Sequence, residues 1–231
     1  MKKIILSALI LLSNVVYAQD NYYKTGKMYY DGNGVEKNYD SARHYFQKAF
    51  DVYQNPDGLA GLAGLYKNGF GVSKNIDMAF ALYKQAADLG NRFSMKKIAF
   101  MYRDGIGTSK DKDKCFYWFL KLADYGDAES QRIVGYMYQN GLGTSIDDNK
   151  AVYYTEKASL QEDAIAITNL GYYYEYGFGR LKKNYNYAYS LYSYACKKEC
   201  KLGCENLKKF NAWLIEMNLT AREIPLNEII E

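Results

Sequence analysis

Proline and histidine are scarce in this chain. Two prolines and one histidine occur among 231 residues, beside nineteen glycines and twenty-six tyrosines. So little proline excludes a proline-rich linker protein, and it is typical of a helical chain that glycine interrupts. The single histidine, His44, excludes sites built from histidine clusters, and no group of cysteines or carboxylates has metal-ligand spacing. We therefore expect no metal or cofactor site, and a structural or surface role for His44.

A strong charge of one sign is also missing. The formal net charge is +4, and it falls to +2 when Lys2 and Lys3 are removed with the leader described below. A chain this close to neutral has no field that suits wrapping around nucleic acid. We expect no nucleic-acid partner.

Long apolar runs are confined to the first eighteen residues. MKK, the run IILSALILLSNVV and VYA form the basic, hydrophobic and small-residue parts of a secretory signal, with cleavage after Ala18. The run is shorter than the roughly 20 residues that span a bilayer comfortably, and no cysteine at the cut offers a lipid anchor. We predict a signal peptide at residues 1–18 and a mature chain without a membrane span, free in the periplasm or secreted into the medium.

A repeat of 36 or 37 residues organises the rest of the chain. The first glycine of a Gly-x-Gly pair stands at Gly32, Gly69, Gly105, Gly141 and Gly177. A period of this length is typical of helical solenoids. A left-handed glycine at each of these places predicts the end of one helix and a tight connection to the next.

The first helix of each repeat, helix A, precedes these glycines. A tyrosine stands three residues before each glycine, at Tyr29, Tyr66, Tyr102, Tyr138 and Tyr174. A small residue stands six before, at Gly26, Ala63, Ala99, Gly135 and Gly171. Because residues three apart share a helix face, each small residue should admit a neighbouring helix beside the ring.

The second helix, helix B, follows the glycine pair. It is preceded by an Asx residue, at Asn38, Asn75, Asp111, Asp147 and Asn184, whose side-chain oxygen suits an N-cap. Four residues later comes a small residue, at Ala42, Ala79, Cys115, Ala151 and Ala188, and bulky residues follow it. This spacing predicts a buried stripe along helix B.

These motifs resemble Sel-one-like repeats, which are relatives of the tetratricopeptide repeat. The resemblance rests on L-G-x-x-Y-x-x-G-x-G at 170–179 and on D-x-x-x-C-x-x-W-F at 111–119, and it covers about residues 20 to 210. It implies an all-α fold: a right-handed α-solenoid of about five helix-turn-helix repeats at 19–218, with helices A lining a concave face. Residues 204–218 predict a C-terminal capping helix, and residues 219–231 form a tail.

The cysteines extend this resemblance. The spacing of Cys196 and Cys204 is similar to that of the secreted, cysteine-rich branch of these repeats, where such a pair joins a helix B to the following helix A. That resemblance implies a disulfide between them, although four cysteines allow three pairings. Cys115 fills the small position of repeat three, which favours a packed thiol. Two alternatives stay open for Cys200: a disulfide with one of the two neighbouring cysteines in place of the implied pair, or a free thiol.

Two short motifs resemble those of serine β-lactamases and penicillin-binding proteins. They are SMKK, with Ser94 three residues before Lys97, and KTG at 24–26. Their order along the chain is reversed, and KTG lies in a helical repeat rather than a strand. We therefore expect no catalytic residues and no enzyme activity. An enzyme or ligand-binding protein acting on cell-wall fragments or β-lactams is the alternative.

The family resemblance places four positions of helix A on the concave face, at twelve, nine, five and two residues before the first glycine. From these positions we predict the partner-binding residues Tyr23, Lys27, Tyr30, Lys67, Phe93, Lys96, Phe100, Arg103, Arg132, Tyr136 and Tyr172. The other positions hold Asp20, Asp57, Ala60, Gly64, Glu129, Gln139, Ile165, Thr168 and Glu175. Aromatic residues and arginine anchor many protein interfaces, so this face predicts binding rather than an ordinary solvated stripe.

The function predicted from these features is that of a scaffold. We expect a monomer that binds a protein or peptide with an acidic and apolar segment. A toxin to be neutralised, as immunity proteins of this family do, and an envelope or host factor are the candidate partners.

Overall fold

The computed structural model describes residues 22–217, which form eleven helices with no strand among them. In chain order these are α1 (22–31), α2 (Tyr39–Tyr53), α3 (Pro56–Asn68), α4 (Ile76–Asp88), α5 (Arg92–Asp104), α6 (Lys112–Asp124), α7 (Ala128–Asn140), α8 (Asp148–Ser159), α9 (Ala164–Tyr176), α10 (Tyr185–Lys197) and α11 (Lys201–Glu216). The odd-numbered helices from α1 to α9 are the predicted helices A, and the even-numbered helices are helices B. The predicted all-α class and helix pairing are confirmed.

The chain divides into two compact units after Asp111. Unit 1 contains α1 to α5 and unit 2 contains α6 to α11. In unit 1, α3 packs against α2 and α4, and α4 packs against α5. In unit 2 each helix from α6 to α11 packs against the next, and α11 also contacts α9. Contacts between successive helices therefore dominate each unit, as in other repeat proteins.

The turn from helix A to helix B closes in the same way in every repeat. The first glycine adopts a left-handed conformation, with φ of 74° at Gly69 and 73° at Gly105. The backbone N–H of the Asx residue then donates to the carbonyl of the tyrosine three residues before the glycine, at 2.8–3.1 Å from the first repeat to the fifth. The repeated tyrosine thus fixes the turn through its backbone, and in the first, third, fourth and fifth repeats its ring also packs against a ring of a helix B.

N-caps begin the helices of both kinds. The side chains of Asn38, Asn75, Asp147 and Asn184 accept the predicted hydrogen bonds at the starts of helices B. Helices α3, α5, α7 and α9 are also capped, by the side chains of Asn55, Asn91, Asp127 and Asp163, which were not predicted. Each of these stands fourteen residues before the first glycine, so the repeat itself contained the signal.

The small residues of helices A admit a neighbouring helix, as predicted, and at two of them the space is filled by a ring of that helix. A Cβ atom added to Gly26 would lie 2.7 Å from the Phe46 ring, and one added to Gly171 would lie 2.8 Å from the Tyr192 ring. The small residues of helices B, from Ala42 to Ala188, are all buried. The core of each unit is therefore formed by helices that approach closely at these positions.

A disulfide joins α10 to α11 in unit 2. The sulfur atoms of Cys196 and Cys204 are bonded, which confirms the predicted pairing. Helix α11 begins at Lys201, three residues before the predicted start, because Cys200 takes the N-cap position that Asx residues hold elsewhere. The Cys200 thiol is half-buried, and its sulfur lies 3.7 Å from Thr168 Oγ1.

The ends of the chain lie outside the described residues. These include the predicted signal peptide at 1–18, Asp20 and the tail at 219–231. None of the helices within 22–217 is long and apolar enough to cross a membrane.

Candidate protein-binding groove

A groove in unit 1 gathers five of the predicted partner-binding residues. Tyr23, Lys27 and Tyr30 of α1, Lys67 of α3 and Phe93 of α5 all line its cavity of about 490 Å³. This volume lies in the usual range for ligand sites in proteins. The residues come from three helices A, so their meeting depends on the repeat architecture and not on any one segment.

Rings from helices B form the floor of this groove. Phe46 of α2 and Tyr83 of α4 line it together with Gly61 and Gly64 of α3. A Cβ atom added to Gly61 would lie 2.7 Å from the Phe46 ring, which therefore fills the space that this glycine leaves. The pattern of helix B predicted a buried stripe alone, so it did not reveal that Phe46 and Tyr83 also contribute to a surface.

Three lysines give the groove positive charge. Lys27, Lys67 and Lys97 line the cavity, and none of them forms an ion pair with another residue of the described part of the chain. Burial, and then the nearby charges of Lys67 and Lys96, lowers the pKa of Lys97. A negatively charged group of a ligand is therefore stabilised beside these lysines.

Two carboxylates balance part of that charge. Asp31 and Asp57 line the same cavity, and Asp57 Oδ1 accepts a 2.6 Å hydrogen bond from Asn91 Nδ2. Burial, followed by the charges of Asp57 and Asp31, raises the pKa of Tyr23. The Tyr23 hydroxyl therefore stays protonated near neutral pH and keeps a proton to donate.

Phe93 presents apolar surface at the groove. Its side chain is 56% exposed although it is large and hydrophobic. The ring contacts two residues of the groove, since its centroid lies 6.2 Å from that of Tyr83 and 4.8 Å from Lys97 Nζ. An exposed aromatic ring that contacts neighbouring side chains is typical of an anchor in a protein interface.

The remaining predicted residues of α5 do not line this cavity. Lys96 and Phe100 are half-buried, whereas Arg103 is exposed. The Arg103 guanidinium lies 4.7 Å from the centre of the Phe100 ring and donates to Asp104 at 2.8 and 2.9 Å. That hydrogen bond lowers the pKa of the Asp104 carboxyl. The role of Lys96, Phe100 and Arg103 in partner binding stays a prediction.

In unit 2 the predicted positions are partly occupied by internal contacts. Arg132 was predicted to bind a partner on the concave face, but its Nε lies 3.2 Å from Asp163 Oδ2 and its side chain is only 22% exposed. Thr168 was placed on the concave face and is fully buried, so that assignment is wrong. Arg132 lies beside the start of α9, and Thr168 lies beside the start of α11. The sequence pattern did not reveal these contacts. Tyr136 and Tyr172 are exposed.

Polar side chains in unit 2 also bond to one another. Gln161 Nε2 donates to Gln131 Oε1 at 2.7 Å, and the Tyr173 hydroxyl donates to Gln139 at 3.1 Å. The Tyr192 hydroxyl donates to Glu175 at 2.7 Å. Much of the polar surface predicted to meet a partner in unit 2 is therefore satisfied within that unit.

No catalytic arrangement forms around the SMKK motif. Ser94 is fully buried in α5, which keeps its hydroxyl from reaching a substrate, while Lys97 lines the groove. His44 is exposed on α2. Within residues 22–217 no cluster of histidine, cysteine and carboxylate residues could hold a metal ion.

The sequence profile of the Sel1 repeat matches five successive segments, at residues 22–51, 56–91, 93–127, 128–163 and 164–200. The chain belongs to the Sel1 repeat family. Sel1 repeats mediate protein interactions, and the five matched segments correspond to the five helix pairs described above. No curated protein matches the chain by sequence.

Solved structures share this fold. The Sel1 repeat protein from Oxalobacter formigenes is 28% identical with a TM-score of 0.69, covering 78% of this chain and 73% of its own. The protein c5321, described as a protective antigen present in uropathogenic Escherichia coli strains and displaying an SLR fold, is 24% identical with a TM-score of 0.76. That alignment covers 90% of this chain and 43% of c5321, so this chain spans less than half of that protein. These likenesses confirm an all-α solenoid.

A weaker likeness involves the immunity protein Pa5087 from Pseudomonas aeruginosa. It is 19% identical with a TM-score of 0.42, over 90% of this chain and 84% of its own. At that score the likeness says nothing about what this Sel1 repeat chain binds.

Proposed function

We propose that this chain is a binding scaffold whose groove in unit 1 holds a segment of a partner protein. One observation carries the proposal: residues predicted from the repeat to face a partner line one cavity together with unpaired lysines and an exposed aromatic ring. An ordinary solvated face does not need a large exposed ring packed beside three lysines that lack ion-pair partners. A binding surface does need these features, because exposed rings and charges contribute most to the binding free energy when a partner excludes water from them.

The groove favours a segment that carries both acidic and apolar residues. Lys27, Lys67 and Lys97 attract carboxylates, while Phe93 and the Phe46 ring offer apolar contact. Asp31 and Asp57 limit the positive charge, so a purely acidic polymer is disfavoured relative to a mixed segment. The partner is therefore a protein or peptide rather than a nucleic acid.

The place of action is part of this proposal. The leader at residues 1–18 predicts export, so the scaffold acts in the periplasm or outside the cell. We propose that it does so as a monomer. A toxin that this chain neutralises, or an envelope or host factor, is the class of partner that meets it there. Intact-mass measurement of the chain from cell fractions tests export, because a mature chain should begin at Gln19.

A capture experiment with matched variants tests binding. The purified chain is incubated with envelope extract, and proteins retained are identified and then purified to measure their affinity directly. Lys67→Glu and Phe93→Ala should weaken binding of the true partner, and Lys208→Glu on exposed α11 serves as the control. Equal retention by all of these variants would show that the groove in unit 1 is not the binding site.

A further inference from the structure

Gly64 differs from the other glycines within helices. Seven glycines lie inside helices of the described chain, and a Cβ atom at six of them would collide with a neighbouring helix. At Gly26, Gly61 and Gly171, for example, it would lie 2.7–2.8 Å from an aromatic ring. At Gly64 the nearest atom, the Tyr83 hydroxyl oxygen, is 3.9 Å away, an ordinary contact distance. Packing within the chain therefore does not require glycine at position 64.

Glycine inside a helix lowers stability relative to alanine, because it loses more backbone freedom on folding. At the other six positions that loss is offset by close packing of helices. Gly64 has a negative φ and lies in the middle of α3, so no turn or left-handed backbone requires glycine there. What its missing side chain does provide is open space in the groove above Tyr83.

The Tyr83 hydroxyl is a second feature of this part of the groove that suits a ligand. Tyr83 is only 3% exposed, and its hydroxyl has no hydrogen-bond partner within residues 22–217. The fully buried side-chain oxygens that lack a partner in that part of the chain are Ser94 Oγ and Thr155 Oγ1, so the Tyr83 oxygen opens onto the groove and is available to a bound group. Burial raises the pKa of Tyr83 to about 12, so the hydroxyl is neutral near physiological pH and can donate its proton.

The charges beside Gly64 indicate which acceptor suits this hydroxyl. Lys67 stands three residues after Gly64 and so shares its face of α3. Lys97 lies close enough to Lys67 for their charges to repel, and it is half-buried beside Phe93. An anionic acceptor relieves this repulsion, whereas a neutral acceptor does not, and a cation adds to it.

We propose that Gly64 opens a subsite for one acidic side chain of the partner segment. Its carboxylate accepts a hydrogen bond from the Tyr83 hydroxyl and is neutralised by Lys67 and Lys97, while the adjoining apolar residue contacts Phe93. This inference rests on the proposed function, since it names the side chain that the groove recognises. A hydrogen bond to an ionised group in a half-buried site gives both affinity and selectivity.

The test uses a library of random short peptides with acetylated and amidated ends, so that only side chains supply carboxylates. The full chain is screened against the library, and peptides that bind are resynthesised with glutamine in place of glutamate. We expect retained peptides to carry Glu or Asp beside a bulky apolar residue, and the glutamine versions to bind about tenfold more weakly or worse.

Three variants assign that preference to the subsite. Gly64→Ala narrows it, Tyr83→Phe removes only the hydroxyl, and Lys67→Gln removes one charge. Each variant should lower the affinity for the glutamate peptide by about tenfold and leave the affinity for the glutamine peptide little changed. The ratio of the two affinities therefore falls. Lys208→Gln on α11 is the matched control and should bind like the parent chain.

The outcomes separate this inference from the proposed function. Peptides that bind and lose affinity in Phe93→Ala, but show no preference for glutamate or no change in Gly64→Ala and Tyr83→Phe, would overturn the subsite and leave the groove as a binding site. A preference for basic peptides would overturn the subsite as well. If the library yields no binder, or binders that ignore Phe93→Ala and Lys67→Gln alike, both the subsite and the proposed groove are wrong.

Discussion

Unit 1 and unit 2 use one repeat pattern and treat its polar side chains differently. In unit 1, Lys67 has no ion-pair partner and the Tyr83 hydroxyl has no hydrogen bond within residues 22–217. In unit 2, Arg132 pairs with Asp163, and the Tyr192 hydroxyl donates to a carboxylate. These two polar groups of unit 2 are thus satisfied by the fold, whereas Lys67 and the Tyr83 hydroxyl in the groove of unit 1 are not.

This difference shows what a repeat pattern determines and what it leaves open. Glycines, caps and small residues set the helices in both units, because every copy needs the same turn and the same close approach. The residues between those fixed positions decide whether a surface is closed by internal bonds or stays available. Function in this chain therefore depends on positions where the copies differ.

The largest expected effect separates core from groove within unit 1. Tyr102→Ala should lower the free energy of unfolding by about 3–5 kcal/mol, because Tyr102 is only 5% exposed and its ring packs edge-on against Phe80. Phe93→Ala should cost about 1 kcal/mol or less, since Phe93 is mostly exposed. Urea unfolding followed by circular dichroism measures both. If Phe93→Ala unfolds as readily as Tyr102→Ala, the groove ring belongs to the core and the contrast between the units fails.

The next effect tests how far unit 2 depends on its covalent link. Replacing both Cys196 and Cys204 by alanine should lower stability by about 2–3 kcal/mol, because the unfolded chain regains the entropy that the closed loop denies it. Reducing agent should then have no further effect on this variant. Peptide mapping of the parent chain without reduction checks the pairing, and recovery of a Cys200–Cys204 peptide would contradict it.

High pH should destabilise the fold partly through Tyr83. Its pKa is about 12 in the folded chain and 10.0 without the fold, so between these values the unfolded chain releases a proton that the folded chain keeps. Stability should therefore be unaffected by this group below about pH 10 and should fall by about 2 kcal/mol as the pH rises to 12. Tyr83→Phe should lose less stability over the same range. Parallel pH profiles for the two chains would contradict the assignment.

Removing single hydroxyls compares the units directly. Tyr192→Phe should cost about 1.5 kcal/mol, because it removes a 2.7 Å hydrogen bond to the Glu175 carboxylate. Tyr83→Phe should cost nothing at neutral pH, since the hydroxyl it removes has no partner in the described chain. Thermal unfolding of both variants provides the measurement. Equal losses would mean that the Tyr83 hydroxyl is already satisfied in the free protein.

The smallest effect has the opposite sign. Gly64→Ala should stabilise the chain by about 0.5–1 kcal/mol, because alanine fits the helix and meets no close neighbour. Gly171→Ala in unit 2 should instead destabilise it, since the added methyl group would collide with the Tyr192 ring. Denaturation midpoints measured side by side decide the point. A loss of stability in Gly64→Ala would indicate that packing, and not a ligand, requires this glycine.

Local pattern was enough to predict most of the fold. The spacing from each tyrosine through the glycine pair to the Asx residue predicted both helices and the turn between them, because all of these contacts lie within one repeat. The pairing of Cys196 with Cys204 followed from the family resemblance, because four cysteines alone allow three pairings. The start of α11 was placed three residues late because the capping role of Cys200 has no side-chain hydrogen bond and no Asx signal.

The groove was predictable only in part. Tyr23, Lys27 and Phe93 followed from the repeat, since facing positions recur with its period. Tyr83 did not, because whether a buried ring reaches a surface depends on which residue of α3 lies above it. The Arg132 ion pair was missed for a similar reason, since Asp163 lies 31 residues further along the chain.

The disulfide gives the described array two unlike ends. Helix α11 is tied covalently to α10, whereas α1 at the other end is held by noncovalent packing alone within residues 22–217. In an array of helices that contact mainly their neighbours, local opening is easiest at an end. Proteases should therefore cut first in the region of α1, which carries Tyr23, Lys27 and Tyr30 of the groove. A bound partner would hold that end in place, so the lifetime of this protein in a protease-rich compartment should lengthen when its groove is filled.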